Sequence, residues 1–411
     1  MTRGISTARR AALRRLLLGA TPLLVPLPSW AQGAGALPRP APASAIPAAA
    51  DRLIVGADGG SLPDALARAR DGDTIELLPG DYTGAPLVLE GRRLTLRGVG
   101  NRPVFKHAGR LPGGAKALLT VRGGEVTLEN LRFGGARADN GEGAGLRMEG
   151  GRLTVRDCSF YDNEYGLHAL NDESARLHIE HSEFGQAPKV VGGLHHLLNV
   201  GRIGSLEVRG TRFQQGFEGH LIKVRARETM LAYNFIHDGF RGGASYEVDL
   251  AGGGVATLIG NVIGQGSDTQ NPVVVAYGAE GGHWERNELR LAHNTLVNYG
   301  WTPAWFLRVF EDKMRSPRVV AVNNLVVGIG VFSLGAPGRF EGNRTVSRRQ
   351  LRDFETYAFE LPPDSMWRNS GIDPRNIDGH DLSPKGEFDW PARVVPLEGE
   401  RTSWTPGAFQ R

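Results

Sequence analysis

Two short segments combine apolar residues at alternate positions with side chains that can transfer protons or bind anions. Residues 220–225 contain Lys223, and residues 246–250 contain Glu247 and Asp249. Side chains alternate between the two faces of a strand, so each segment would bury its aliphatic residues and expose its polar ones. Amine, imidazole, phenol and carboxylate groups gathered on one surface are the groups that general acid–base catalysis uses.

These segments lie within a repeat that would place them side by side. An apolar residue recurs at intervals of mostly 23 to 33 residues, and a small polar residue precedes it by two positions. The apolar positions are Phe133, Phe160, Phe184, Phe213, Ile236, Ile263, Leu296 and Val326. The preceding positions are Cys158, Ser182, Thr211, Asn234, Asn261, Asn294 and Asn324, with Asn343 before Thr345. Small polar side chains at one place in every coil predict a ladder of hydrogen bonds along a stack.

The pattern resembles the right-handed parallel β-helix of the pectin lyase-like superfamily. The resemblance covers about residues 52–345, and it includes an opening strand, a short helix that follows Ser61, and a strand after Gly72. It implies an all-β fold, a solenoid with a short N-terminal capping helix. We expect residues 346–411 to form an irregular C-terminal tail that packs along the β-helix or covers its end.

The N-terminus has the features of an export signal. Residues 1–31 combine a basic segment, an apolar stretch and small residues before a cleavage point, and residues 32–51 form a linker rich in alanine and proline. We expect export to the bacterial periplasm or the extracellular space, by the Sec or the twin-arginine route. Removing this segment, which has five arginines and no acids, changes the formal charge from +4 to −1. A near-neutral mature chain argues against a nucleic-acid partner, and no later stretch predicts a membrane span.

Alignment of the repeats predicts two polar columns on one face of the stack. The first column is His168, Asn199, Lys223, Asp249, Ala276 and Arg308. Three residues earlier in each repeat come Tyr165, His196, His220, Tyr246, Val273 and Trp305. Neighbouring coils lie about 4.8 Å apart, so we expect the polar members to line one continuous surface.

Secreted β-helices of this superfamily commonly act on acidic polysaccharides, and β-elimination at a uronate needs three groups. One neutralises the carboxylate, one removes the C5 proton, and one protonates the leaving oxygen. Lys223 is the candidate base, and Asn199 and Arg225 would neutralise the carboxylate. Tyr246 or His220 would be the proton donor. C5 epimerisation would use much the same groups.

A second version of this chemistry uses a histidine as the base. His196 or His220 would then remove the C5 proton, and Tyr246 would act as the acid. In either version we expect further contacts with the sugar chain from the outer members of the columns. These are His168, Arg308 and Trp305.

The segment from Glu218 to Lys223 resembles that of calcium-dependent lyases of the alginate lyase and chondroitinase B type. The resemblance implies that Lys223 is the base and that Glu218 is a calcium ligand. Gly216 stands where that family has a second acid. Calcium, if it binds, would therefore recruit Glu247 or Asp249.

Two other classes of function fit the same sequence. Glu247 and Asp249 could form the carboxylate pair of a glycoside hydrolase. Alternatively, the protein could be a non-catalytic, glycan-binding or envelope-associated β-helix, whose polar face only recognises sugar.

Overall fold

The computed structural model describes residues 52–56 and 61–411. The predicted signal peptide (1–31) and linker (32–51) lie outside the described residues. Within these residues the chain forms three long parallel sheets of 12, 11 and 10 strands. Successive coils add one strand to each sheet in turn, which confirms the predicted all-β, right-handed parallel β-helix.

Each sheet runs along the length of the solenoid. The first sheet contains Arg52–Val55, Thr74–Leu77, Arg93–Gly98, Glu125–Glu129, Arg152–Arg156, Asp172–Glu180, Ile203–Arg209, Glu228–Ala232, Val255–Ile259, Glu288–Ala292, Arg318–Val322 and Gly338–Glu341. The second contains Asp81–Tyr82, Val104–Lys106, Arg132–Gly134, Ser159–Tyr161, Glu183–Gly185, Arg212–Phe213, Phe235–His237, Val262–Gln265, Thr295–Asn298, Leu325–Val327 and Arg344–Val346. The third contains Leu87–Glu90, Ala117–Arg122, Ala144–Met148, Tyr165–Ala169, Leu198–Val200, Ile222–Val224, Val248–Leu250, Val273–Tyr277, Ala304–Val309 and Gly330–Val331.

A short helix covers the first coils. It spans Leu62–Arg68, and the Ser61 side chain caps it by accepting a hydrogen bond from the Asp64 backbone N–H at 3.3 Å. Leu62 and Ala65 are buried against the main core. The predicted capping helix is therefore present. Three single 3-10 turns also occur in the described chain, at Pro112–Gly114, Glu311–Lys313 and Arg348–Gln350.

Two ladders of stacked side chains run inside the solenoid along the second sheet. Six aromatic rings stack with centroid spacings between 4.5 and 5.3 Å, in the order Tyr82, Phe105, Phe133, Phe160, Phe184 and Phe213. The predicted polar ladder runs beside them. The ladder asparagines are Asn234, Asn261, Asn294 and Asn324. Each donates its side-chain amide to the asparagine of the next coil and to a backbone carbonyl, so these buried groups are satisfied.

The C-terminal tail packs along the side of the solenoid. Its apolar residues Leu351, Phe354 and Phe359 form a buried cluster with Phe235 and Val262 of the second sheet. It contains one antiparallel pair of strands, Gly386–Asp389 and Arg393–Pro396. Within the described ranges, no helix is long and apolar enough to cross a membrane.

Candidate active site

The outward-facing residues of the third sheet form one column. His168 pairs with Asn199, Asn199 with Lys223, and Lys223 with Asp249, in successive parallel strands. The register then continues through Ala276 to Arg308. This is the register that the sequence alignment predicted. We call it the outward column; it consists of His168, Asn199, Lys223, Asp249, Ala276 and Arg308.

A stack of rings borders the outward column. The ring centroids of Tyr165 and His196 lie 5.7 Å apart, those of His196 and His220 lie 4.8 Å apart, and those of His220 and Tyr246 also lie 4.8 Å apart. The last two pairs are nearly parallel. The two predicted columns therefore lie side by side on one surface.

Backbone hydrogen bonds fix the protonation of the two stacked histidines. The His220 backbone N–H donates to Nδ1 of His196 at 2.8 Å, and the Tyr246 backbone N–H donates to Nδ1 of His220 at 3.2 Å. A neutral ring whose Nδ1 accepts a hydrogen bond carries its proton on Nε2. Burial lowers the pKa of His220 to about 3 and that of His196 well below its usual value. Near neutral pH both rings are therefore hydrogen-bond donors at Nε2.

Asp249 is the point where the columns converge. Its Oδ2 lies 3.5 Å from Nε2 of His220 and 3.9 Å from Nζ of Lys223. Its side chain is only 2 % exposed, and its Oδ1 is buried without a hydrogen-bond partner. Removal from water raises the pKa of Asp249 to about 7, although the charge of Lys223 opposes the shift. Asp249 can therefore gain or lose a proton near neutral pH.

Glu280, which the sequence analysis did not identify, forms ion pairs with both cations of the site. It lies in the loop after the third-sheet strand Val273–Tyr277. Its carboxylate lies 2.9 Å from Nζ of Lys223 and accepts two hydrogen bonds from Arg225, at 2.6 and 2.8 Å. Burial alone would raise its pKa, but these two cations lower the pKa of Glu280 to about 2. Glu280 is consequently ionised and forms ion pairs with both Lys223 and Arg225.

A polar cavity of about 350 Å³ adjoins the N-terminal part of the outward column. Burial, reinforced by the charge of Arg147 on the preceding strand, lowers the pKa of His168 to about 4. The Nδ1 atom of His168 is buried there without a hydrogen-bond partner. The side chains that line the cavity include His168, Asn171, Asn199, Arg202, Arg225 and His283. Such a lining suits a hydroxylated or anionic ligand.

The C-terminal part of the outward column is separate from this centre. The Arg308 guanidinium lies 4.8 Å from the ring centroid of Trp305 and 4.6 Å from that of Phe310. Ala276 stands between Arg308 and Asp249 in the register and is fully buried. Arg308 and Trp305 thus form a second contact surface two strands beyond Asp249.

The three acids predicted as calcium ligands do not come together. Glu218 accepts a hydrogen bond from the Gly192 backbone N–H at 2.5 Å, whereas Asp249 lies beside Lys223. Glu247 was predicted to face outward, but it is fully buried, and burial with the nearby charge of Asp238 raises its pKa well above the usual range. In the part of the chain that the structure describes, no three His, Cys, Asp or Glu side chains are arranged to hold a metal ion.

Larger cavities lie elsewhere, but their linings are less suggestive of chemistry. One of about 1040 Å³ lies between the tail and Phe235, and Glu387 in its lining is already paired with Arg411. Another of about 820 Å³ lies at the turns that follow second-sheet strands, where Asp238 accepts hydrogen bonds from the backbone. The converging and partly unsatisfied groups of the outward column make it the better candidate site.

One solved structure in particular shares this architecture. A pectate lyase, Pel9A, superposes with a TM-score of 0.60 at 14 % sequence identity, over 86 % of this chain and 91 % of its own. A pectin methylesterase from Aspergillus niger gives a TM-score of 0.43 at 14 % identity, over 64 % of this chain and 89 % of its own, which is too distant to support a conclusion. No protein-family model and no curated protein sequence matches the chain. The protein has the parallel β-helix fold of the pectin lyase-like proteins.

Proposed function

We propose that this protein is an exported enzyme that acts on an acidic polysaccharide, by β-elimination or by C5 epimerisation at a uronate. The observation that carries the proposal is the convergence of His220 and Lys223 on one oxygen of Asp249. Arg225 stands beside this centre, and a polar cavity adjoins it. The fold likeness to a pectate lyase supports a polysaccharide as the substrate class.

In the proposed reaction Arg225 and Asn199 bind the uronate carboxylate, which acidifies the C5 proton. Lys223 reacts as the neutral amine, and Asp249, 3.9 Å away, is the adjacent carboxylate that can take up its proton. The resulting amine removes the C5 proton, and the C5 electron pair forms the C4–C5 double bond as the C4–O bond breaks. In epimerisation no bond to C4 breaks, and a proton returns to the opposite face of C5.

The leaving oxygen needs a proton donor, and the geometry favours the ring stack for this role. His220 carries its proton on Nε2, 3.5 Å from Asp249, because its Nδ1 accepts a hydrogen bond from the Tyr246 backbone N–H. A neutral imidazole can donate a hydrogen bond to the leaving oxygen but is too weak an acid to protonate it, so this arrangement supports Tyr246 as the proton donor. It also favours the version of the chemistry in which Lys223, rather than a histidine, is the base, because neither histidine has a free basic nitrogen. His168, Trp305 and Arg308 would contact the sugars on either side.

The proposal is tested by incubating the purified protein with alginate, pectate, glycosaminoglycans and bacterial exopolysaccharides. Elimination is followed by the ultraviolet absorbance of unsaturated uronates, and epimerisation by uptake of deuterium at C5 from heavy water. Each substrate is tested with added calcium and with a chelator, because a calcium requirement stays a prediction. Lys223→Ala should lower the rate by about 100-fold or more, since it removes the base.

Lys106→Ala is the matched control, because Lys106 lies on the second sheet in an exposed pair with Asp81. Undiminished elimination by the Lys223→Ala variant would show that Lys223 is not the base. If no substrate is converted but acidic polymers retard the protein in gels, the outward column is a glycan-binding site without catalysis.

One observation favours glycoside hydrolysis as a second candidate. Asp249 and Glu280 both contact Nζ of Lys223, so their nearest oxygens lie within about 7 Å of each other. The pKa of one is raised to about 7 and that of the other is lowered to about 2, as a general acid and its partner carboxylate require. This pair replaces Glu247 and Asp249, since Glu247 is fully buried. New reducing ends without unsaturated product, lost in both Asp249→Asn and Glu280→Gln, would establish hydrolysis.

A further inference from the structure

Glu280 stands where a carboxylate of the substrate would be expected to bind. One of its oxygens accepts from Nη2 of Arg225 at 2.8 Å and lies 2.9 Å from Nζ of Lys223, and the other accepts from Nε of Arg225 at 2.6 Å. A guanidinium that binds both oxygens of one carboxylate is the geometry by which proteins recognise carboxylates. We call Lys223 and Arg225 the cationic fork, and Glu280 is its internal ligand.

The fork is held in place independently of Glu280. Asn199 Oδ1 accepts a hydrogen bond from Arg225 at 3.2 Å, and the indole N–H of Trp284 donates to the Arg225 carbonyl at 3.1 Å. Lys223 retains Asp249 as a neighbour. The two cations would therefore stay close to their present positions if another carboxylate replaced that of Glu280.

The backbone around Glu280 is anchored, whereas its side chain is partly free. The Glu280 backbone N–H donates to the carbonyl of Ala251 at 3.0 Å, and that of His283 donates to Gly252 at 3.0 Å. The Glu280 side chain is 36 % exposed, in contrast to 16 % for Lys223. Glu280 can thus leave the fork by rotating its own side chain into solvent, without movement of the loop.

A displaced Glu280 would leave the fork next to a polar space. The cavity of about 350 Å³ is lined by Arg225 and by Asn199, Arg202 and His283. In the same cavity Nδ1 of His168 has no hydrogen-bond partner. A sugar ring in this cavity could direct its carboxylate at Arg225 and Asn199, which releases Lys223 from Glu280, and its hydroxyls at the rest of the lining.

We propose that an acidic sugar binds by displacing the Glu280 carboxylate from Lys223 and Arg225, whereas a neutral sugar leaves Glu280 in place. The inference rests on the proposed function, since it takes the ligand to be the uronate that the enzyme acts on. Glu280 then selects for carboxylate-bearing ligands. It also holds Lys223 in an ion pair until such a ligand arrives.

The test measures binding and turnover separately. Binding is measured by calorimetry with oligogalacturonate, alginate oligomers, a neutral dextran oligomer and dextran sulfate, for the wild type, Glu280→Gln and Glu280→Ala. A uronate can bind only while Glu280 is away from the fork. Its apparent affinity is therefore its intrinsic affinity multiplied by the fraction of time that the fork is free. If Glu280 is bound about 90 % of the time, its removal tightens uronate binding about tenfold.

The matched control is Glu285→Gln, which removes the same charge from an exposed position in the same loop. We expect the affinity for uronate oligomers to rise about tenfold in both Glu280 variants and less than twofold in Glu285→Gln. The affinity for dextran should not rise in any variant. Equal or weaker uronate binding in the Glu280 variants would overturn the inference, and so would an equal gain in Glu285→Gln. Tighter binding of dextran sulfate without tighter binding of uronate oligomers would also overturn the inference.

Turnover of the wild type distinguishes failure of the inference from failure of the proposed function. If the wild type eliminates but the Glu280 variants bind uronates no more tightly, only the inference fails. If the variants bind uronates more tightly but no protein converts them, the inference stands and the enzymatic proposal fails. Thermal unfolding of each variant shows that it is folded.

Discussion

The asparagine ladder inside the solenoid and the outward column on its third sheet are both stacks of polar side chains repeated coil by coil. Inside, the amide of Asn294 donates to Asn324 at 3.0 Å and to the Leu258 carbonyl at 2.8 Å, and its neighbours do the same. On the outward column the residue type changes at every coil. Nδ1 of His168 and Oδ1 of Asp249 are left without partners.

The difference separates a structural stack from a functional one. A residue type repeated at one position satisfies its own hydrogen bonds along the stack, so its polar groups are used up in holding coils together. The outward column instead keeps polar atoms that no neighbour satisfies, on His168 and Asp249, and the pKa values of both groups are shifted. Polar stacking by itself is therefore no sign of a site, whereas a stack that leaves buried polar atoms unsatisfied is a candidate for one.

The sharpest test of this comparison places the same substitution in both stacks. Asn294→Ala removes two donated hydrogen bonds and the acceptor of the Asn261 backbone N–H. The partner groups that lose these bonds are buried, so water cannot replace them. We expect a loss of about 3–5 kcal/mol in the free energy of unfolding. Urea denaturation measures this loss, provided that the dependence of the free energy of unfolding on urea concentration is the same in both proteins.

The counterpart is Asn199→Ala in the outward column. Asn199 is half-buried and accepts one hydrogen bond from Arg225 at 3.2 Å. We expect a loss of less than about 1 kcal/mol in stability, because a partly exposed group can be rehydrated, together with weaker binding of acidic sugars. Equal losses of stability at the two positions would contradict the division into structural and functional stacks.

An intermediate effect is expected for Asp249, whose burial should make stability depend on pH. Its pKa is raised from 3.8 to about 7 in the folded state, so the folded protein binds the proton more tightly than the unfolded chain. A group of this kind costs stability progressively as the pH rises from about 4 to about 7, and its full cost applies above that range. Asp249→Asn should therefore stabilise the protein by about 1–3 kcal/mol at pH 8 and have little effect at pH 4.

Thermal or urea unfolding of both proteins at the two pH values checks this expectation. The exposed Asp268, changed to Asn, is a suitable control, since its side chain is 55 % exposed. A stability difference between Asp249→Asn and the wild type that is the same at pH 4 and pH 8 would show that Asp249 titrates normally in the fold.

The repeat accounts for what the sequence could predict. Asn234, Asn261 and Asn294 recur at one phase, and that phase also fixes the register of Lys223 against Asp249. Strand pairing transmits the register from coil to coil, so residues inside strands can be placed from the period alone. The fold and the outward column follow from this regularity.

The errors and omissions lie where the period does not reach. Glu247 was predicted outward by alternation, but the strand begins at Val248, and alternation does not apply in the preceding turn. Glu280 lies in a loop whose length is not set by the repeat, so its contact with Arg225 depends on the folded path of that loop. The proton positions on His196 and His220 likewise depend on backbone groups one coil away.

The smallest effect is expected at the far end of the outward column, where Arg308 packs on Trp305 and Phe310. Arg308 lies two strands beyond Asp249, a distance of about 10 Å, so a single uronate at the centre would not reach it. Arg308→Ala should weaken the binding of long acidic chains by about threefold and leave that of disaccharides and the turnover number unchanged. Arg318→Ala, an exposed arginine on the first sheet, is the control. If Arg308→Ala affects short and long chains alike, the outward column acts as one site across Ala276; if it affects neither, the functional stack ends at Asp249.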